Sequence, residues 1–162
     1  MQTPICEFCA KTDTLCGNCE KKLKDGTLTK LDLDFIKYLY ERHLSLDIEY
    51  VSSFVARDAI VLFFRGEVGA IVGRGGKSAM ELSKKFGKRV KVINLNNDIK
   101  KVISDIIYPV TLMGINTVFT QGGEVSKIRL AKKEMMSIPF DISSLEKILF
   151  NLMQKRIRIS FE

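Results

Sequence analysis

The sequence predicts an α+β protein: two α-β-β-α-α-β units behind a small cysteine-rich module. Three observations predict it. The four cysteines of the chain fall near its start, in two Cys-x-x-Cys pairs. A glycine-rich stretch, Val72-Gly73-Arg74-Gly75-Gly76-Lys77-Ser78, joins two helix-like segments that lie between strand-like ones. The element order around that stretch then recurs more faintly toward the end of the chain. The boundaries expected are a module at 1–26, a first unit at 27–96 and a second unit at 97–162.

In the module, Cys6 and Cys9 are separated by six residues from Cys16 and Cys19. Each pair can offer two thiolates from one tight turn, and four thiolates at about 2.3 Å close a structural zinc site. Two disulfides would need an oxidising compartment, to which nothing in the sequence points. A catalytic zinc would need an open position and usually a histidine, and none is near. Iron held by four thiolates stays open as an alternative. So short a segment has no core, and metal binding would supply its folding free energy. The short spacer predicts a compact metal-bound loop. Lys21, Lys22 and Lys24 follow, first a solvated face and only second a contact for a polyanion.

The first unit opens at Thr29 and Asp32, spaced as a capping box. Phe35, Ile36, Leu39, Tyr40, His43 and Leu44 recur at helical spacing. His43, the lone histidine, suits the negative end of that helix and is not expected to be a ligand. A strand is expected over 45–54. The continuous apolar run Ala59-Ile60-Val61-Leu62-Phe63-Phe64 reads as a buried strand. Val68, Ile71 and Val72 then give a short helix. Ala79, Met80, Leu82 and Phe86 give a second, stopped by Gly87, and Arg89 to Leu95 gives a strand.

The stretch between the two helices is built for an anion. Glycines at 73, 75 and 76 permit positive φ and leave the backbone open to a ligand, and the following helix start presents unpaired N–H groups. Two other glycine motifs are near misses. A Walker A loop ending Gly76-Lys77-Ser78 would need glycine where Ile71 stands, and a dinucleotide fingerprint starting at Gly73 would need glycine at Ser78. Charge points the same way. The chain carries +7, and residues 65–101 hold ten basic and three acidic side chains, the whole excess. Such focusing fits a polyanionic partner and salt-dependent binding.

A Gly-x-x-Gly between two helices in this element order resembles a type II KH domain, and in particular those of the NusA family of transcription factors. The resemblance covers roughly residues 30–95. It implies a loop that clamps the backbone of single-stranded RNA. The candidate contacts are Gly73, Arg74, Gly75, Gly76, Lys77, Lys84 and Arg89, with bases along Val72, Met80 and the strand from Val90 to Ile93.

The order returns after residue 96. Asn97 is the expected cap of a helix bearing Ile99, Val102, Ile103 and Ile106, stopped by Pro109. Two strands flank a turn at Gln121-Gly122-Gly123. Ser143 and Glu146 are spaced as a capping box for a helix bearing Leu145, Ile148, Leu149, Leu152 and Met153. Ile157, Ile159 and Phe161 alternate in a last strand. The link near Ser137-Ile138-Pro139-Phe140-Asp141 has no Gly-x-x-Gly, so this unit resembles a KH domain without its clamp. The tandem arrangement resembles archaeal NusA and implies a role in transcription elongation or termination. The alternative is a factor that docks on RNA polymerase or the ribosome. No catalytic constellation is present, so no enzyme and no small-molecule substrate are expected. With neither a secretory signal nor an apolar run of membrane-spanning length, a cytoplasmic protein is expected.

Overall fold

A computed structural model describes residues 1–42 and 46–162. His43 and Leu44, at the expected end of the first long helix, and Ser45, at the expected start of a strand, lie outside the described residues. The fold is mixed α+β with two three-stranded sheets. The chain forms two units: Met1–Ser53 with Val61–Asn96, and Phe54–Ile60 with Asn97–Glu162.

The first unit begins with two short helices, α1 (Glu7–Lys11) and α2 (Gly17–Lys24), followed by α3 (Lys30–Glu41). Its strands are β1 (Ile48–Val55), β2 (Ala59–Gly66) and β3 (Arg89–Asn94), with β2 in the middle. Between β2 and β3 run α4 (Gly69–Val72), a single 3-10 turn (Arg74–Gly76) and α5 (Lys77–Phe86). The apolar run of β2 is buried from Ala59 to Phe64 on both faces, as a central strand requires.

Asp32 organises this unit. Its carboxylate closes the capping box of α3, accepting from Thr29 N at 2.8 Å while Thr29 Oγ1 accepts from Asp32 N at 3.1 Å. The other carboxylate oxygen accepts from Ser53 Oγ at 2.6 Å and from the Tyr50 hydroxyl, joining α3 to β1. The Tyr50 ring lies 5.3 Å from both Phe35 and Phe64, and Phe35 lies 6.4 Å from Phe86 at the end of α5. One polar bond set and one aromatic cluster thus fix α3, β1, β2 and α5 together.

The second unit comprises α6 (Ile99–Ile107), β4 (Leu112–Thr120), β5 (Gly123–Leu130), α7 (Ile142–Met153) and β6 (Arg156–Phe161). β4 pairs antiparallel with β5, and β5 pairs parallel with β6. Its core gathers Val102, Ile103, Ile106 and Ile107 of α6, Ile128 and Leu130 of β5, and Leu145, Ile148 and Leu149 of α7.

Several local expectations change. Asp98, not Asn97, caps α6, accepting from Lys100 N and Lys101 N. Asp141, not Ser143, caps α7, accepting from Ser144 N at 2.9 Å; a carboxylate is the stronger acceptor for a helix N-terminus, and buried Phe140 fixes the chain just before it. The β4–β5 turn is Gln121-Gly122 alone, because Gly123 pairs with Thr120 as the first residue of β5. The link before α7 is a 3-10 helix (Lys132–Ser137) rather than irregular.

Asp32→Ala leaves the Tyr50 and Ser53 hydroxyls without an acceptor and removes a cap, an expected loss of about 2–4 kcal/mol in a denaturant titration. Burial first, and then the Asp32 charge, raise the Tyr50 hydroxyl above its ordinary pKa of 10.0. The folded chain keeps a proton that the unfolded chain releases. This contribution is therefore intact below pH 10 and is lost as pH rises further. Tyr50→Phe is expected to flatten that alkaline decline in melting temperature.

Candidate nucleic-acid interface and metal centre

Each Cys-x-x-Cys pair opens a helix rather than a loop, which corrects the expectation of a compact loop. Cys6 caps α1 with Cys9 in its first turn, and Cys16 caps α2 with Cys19 in its first turn. The two caps share one backbone conformation, φ/ψ −73°/157° and −72°/161°, so the two pairs enter their helices in the same way. A three-residue step serves a tight turn and a first helical turn equally, and for that reason the spacing did not distinguish them. Helix starts also favour thiolates, since N–H groups and the positive end of the dipole point at the sulfurs.

The four Sγ atoms lie within 4.8 Å of one another. Cys6 Sγ is 3.3 Å from that of Cys9 and 3.9 Å from those of Cys16 and Cys19. Sulfurs at about 2.3 Å from a tetrahedral ion stand about 3.8 Å apart, so the cage has the size such an ion needs. All four are free thiols. They are thus placed to bind a metal ion.

Crowding separates their acidities. The Cys19 N–H directed at Cys16, followed by the neighbouring thiols, draws Cys16 down to about 7. Cys9 Sγ accepts from Cys16 N at 3.1 Å, which pulls it down, but burial and the three other thiols together push Cys9 up to about 12. A cation is what would let all four be thiolates at once.

Bonds hold this module to the rest of its unit. Gln2 N donates to Ile48 O at 2.8 Å and Gln2 O accepts from Tyr50 N at 2.9 Å, extending the β1 edge. Lys37 of α3 pairs with Asp13 at 3.2 Å. Within the module, Lys22 Nζ donates to Pro4 O at 2.7 Å and Lys24 pairs with Glu20.

The glycine stretch lies at the surface. Arg74, Gly75 and Lys77 are exposed, and Gly73 and Gly76 are half-buried. All three glycines have positive φ: 75° at Gly73, 61° at Gly75 and 75° at Gly76. At Gly73 a Cβ would also stand 2.5 Å from Ser78 Oγ, a contact that spacing alone did not flag. At Gly75 and Gly76 a Cβ would meet open space, so an incoming group has room against the backbone. Gly76 has no side chain with which to cap α5.

α5 is firmly seated behind the turn. Leu82 is buried, Phe86 packs on Phe35, and Ser83 Oγ donates to Ala79 O while accepting from Val90 N at 3.0 Å. Its outer stripe carries Lys77, Met80 and Lys84, all exposed, and Arg89 is exposed at the start of β3. Val72 and Val92 are half-buried, whereas Val90 and Ile93 are buried in the core.

Part of the local charge is committed. Arg65 pairs with Glu49 at 3.2 Å and Lys101 with Asp105 at 2.6 Å; Lys85 lies 4.5 Å over the Tyr38 ring. Among the described residues Arg74, Lys77, Lys84 and Arg89 form no ion pair.

The chain has partial similarity to archaeal NusA-like proteins. A 60-residue stretch is 38% identical to the probable transcription termination protein NusA of Methanocaldococcus jannaschii, covering 36% of this chain and 33% of that protein. A 47-residue stretch is 36% identical to the probable transcription termination protein NusA of Methanococcus vannielii, covering 29% and 27%. The matched stretches thus span at most a third of these relatives' length. Among solved structures, the crystal structure of APE1850 shares the fold, with a TM-score of 0.52 and 18% identity over 77% of this chain and 96% of that one. No family model matches the chain. Among the described residues no helix is long and apolar enough to cross a membrane.

The turn's geometry predicts unequal costs for two similar substitutions. Gly73→Ala combines positive φ with the Ser78 collision and is expected to cost about 3 kcal/mol, against about 1 kcal/mol for Gly75→Ala. Chemical denaturation of the two variants checks the order.

Proposed function

We propose that the chain is a NusA-like RNA-binding protein whose 73–76 turn acts as the Gly-x-x-Gly clamp of a type II KH domain on single-stranded RNA. One observation carries this: an exposed, three-glycine turn at the head of α5, with Arg74, Lys77, Lys84 and Arg89 around it and unpaired among the described residues. Phosphates would approach the backbone at Gly75 and Gly76, where no Cβ stands in the way. The Arg74 fork and the lysine charges would take the phosphate oxygens. The apolar part of the stripe, Met80 with Val72 and Val92, would lie beside the bases. The second unit is read as a KH-like domain lacking this turn.

The partial similarity to NusA proteins supports a place in transcription elongation or termination, with RNA polymerase as a partner. In the N-terminal module, Cys6, Cys9, Cys16 and Cys19 would hold structural zinc, which would lock α1 and α2 in place and supply no catalytic chemistry. We read the protein as a binding factor rather than an enzyme.

Fluorescence anisotropy with a labelled single-stranded oligoribonucleotide tests the clamp. The chain is expected to bind in a salt-dependent way, and R74D/G75D is expected to abolish binding while the protein stays folded, with a fall in melting temperature of a few degrees. Unchanged affinity in that variant would remove the clamp. No binding to free RNA at any salt, with co-purification on ribosomes or polymerase, would favour the docking role instead.

Elemental analysis of protein purified without chelator is expected to give one zinc per chain. Cys9→Ser and Cys19→Ser are expected to lose it and, with it, the circular-dichroism signal of α1 and α2. Because binding expels thiol protons, affinity for zinc is expected to fall as pH is lowered.

A further inference from the structure

The second sheet carries charge for which the glycine turn gives no account. Its register sorts side chains onto two faces. On the inner face Ile128 and Leu130 are fully buried, with Ile115, Ile159 and Phe161 as cross-strand partners. The outer face consists of three rows across β4, β5 and β6: Gly114–Arg129–Ser160, Asn116–Lys127–Arg158 and Val118–Val125–Arg156. Four of these nine residues are cations, and none is aromatic.

Several features show that this face is arranged around its charge. Lys127 and Arg158 stand directly opposite, a like-charge pair that costs stability in a sheet. One carboxylate, Glu162, pairs with Lys127 at 3.4 Å and Arg129 at 3.1 Å. Among the described residues no acid pairs with Arg156 or Arg158, and both are exposed. Arg129 reaches across to β4, with one guanidinium nitrogen 2.7 Å from where a Cβ on Gly114 would stand, so a larger residue there would displace the guanidinium. In the same row Arg129 Nε and Ser160 Oγ are buried with no hydrogen-bond partner among the described residues. Val118, Val125, Lys127, Arg156 and Arg158 also line an open groove together with Phe54 and, from α7, Glu146, Lys147 and Phe150.

We propose that this outer face is a second contact surface for single-stranded RNA, gripping its sugar–phosphate backbone without reading sequence. Arginine forks on a flat, open sheet match phosphate oxygens. None of the nine residues in the three rows is aromatic, so the sheet itself offers no platform for base stacking and its contact is with the backbone; the aromatic rings nearby, Phe54 and Phe150, stand in the adjoining groove. The three rows set four cations against two valines, which suits a polyanion better than insertion into a membrane surface. The proposal rests on the RNA-binding reading above.

Anisotropy titrations of the full chain with labelled 12- and 24-nucleotide oligouridylate, at several salt concentrations, test it. R158Q and R156Q/R158Q are expected to weaken binding of the longer RNA severalfold. They should also flatten the dependence of log affinity on log salt by about 0.7 for each charge removed. Among the described residues the Arg158 side chain forms no hydrogen bond or ion pair, whereas R156Q loses the 2.8 Å bond to Gly122 O, so R158Q separates binding from folding. E162Q, which frees Lys127 and Arg129, is expected to act oppositely, tightening binding and steepening the slope. Unchanged affinity and slope in all three, with R74D/G75D still abolishing binding, would overturn the second surface and leave the clamp standing. Displacement of RNA from the wild-type chain, but not from R156Q/R158Q, by polyglutamate of equal charge at lower concentration than by unlabelled RNA would assign the face to an acidic protein and also overturn it. A wild-type chain that binds no RNA would end both.

Discussion

Asp32 accepts from the backbone and hydroxyl of Thr29 and from the hydroxyls of Ser53 and Tyr50, from a position 4% exposed. A carboxylate this buried is tolerable because its oxygens are occupied, and with one partner removed the desolvation penalty stands uncompensated. The constraint spreads outward. Tyr50 is held by its hydroxyl and packs its ring on Phe35 and Phe64, and Phe35 meets Phe86 where α5 ends. The glycine turn begins at the other end of α5, so its placement is inherited from a polar knot in the core. Surface ion pairs such as Arg42–Glu81, each side chain over 40% exposed, add orientation more than stability.

The two units present their cations on different backbones. In the first, three positive-φ glycines bring a bare main chain to the surface at a helix start. In the second, the link before α7 is a 3-10 helix and residues 132–141 contain no glycine, so no such opening exists there. Its cations stand instead on extended strands, where the two-residue repeat puts Arg156 and Arg158 on one side.

Much of the architecture was legible in the sequence because periodicity changes abruptly at punctuating residues. The apolar run at Ala59, the helix closed by Gly87 and the alternation after Arg156 each admit one reading. Caps were less legible. Asn97 and Asp98 are both competent, as are Asp141 and Ser143, and the choice depends on which residue the packed chain leaves extended. The helices at the cysteines were missed because a step of three suits either geometry. Which members of the basic segment are already paired was not legible, since sequence separation hides partners such as Glu49 for Arg65 and Tyr38 for Lys85. The open cationic face escaped notice for a related reason: its members lie on strands far apart in sequence and meet only through register.

Gln2 lies along the outer side of β1, supplying one donor and one acceptor to a strand that has a sheet neighbour only on its other side. Were α1 and α2 to come loose, that rim of unpaired amides would be offered to any extended chain nearby. Keeping the four thiols together would then protect solubility as well as shape.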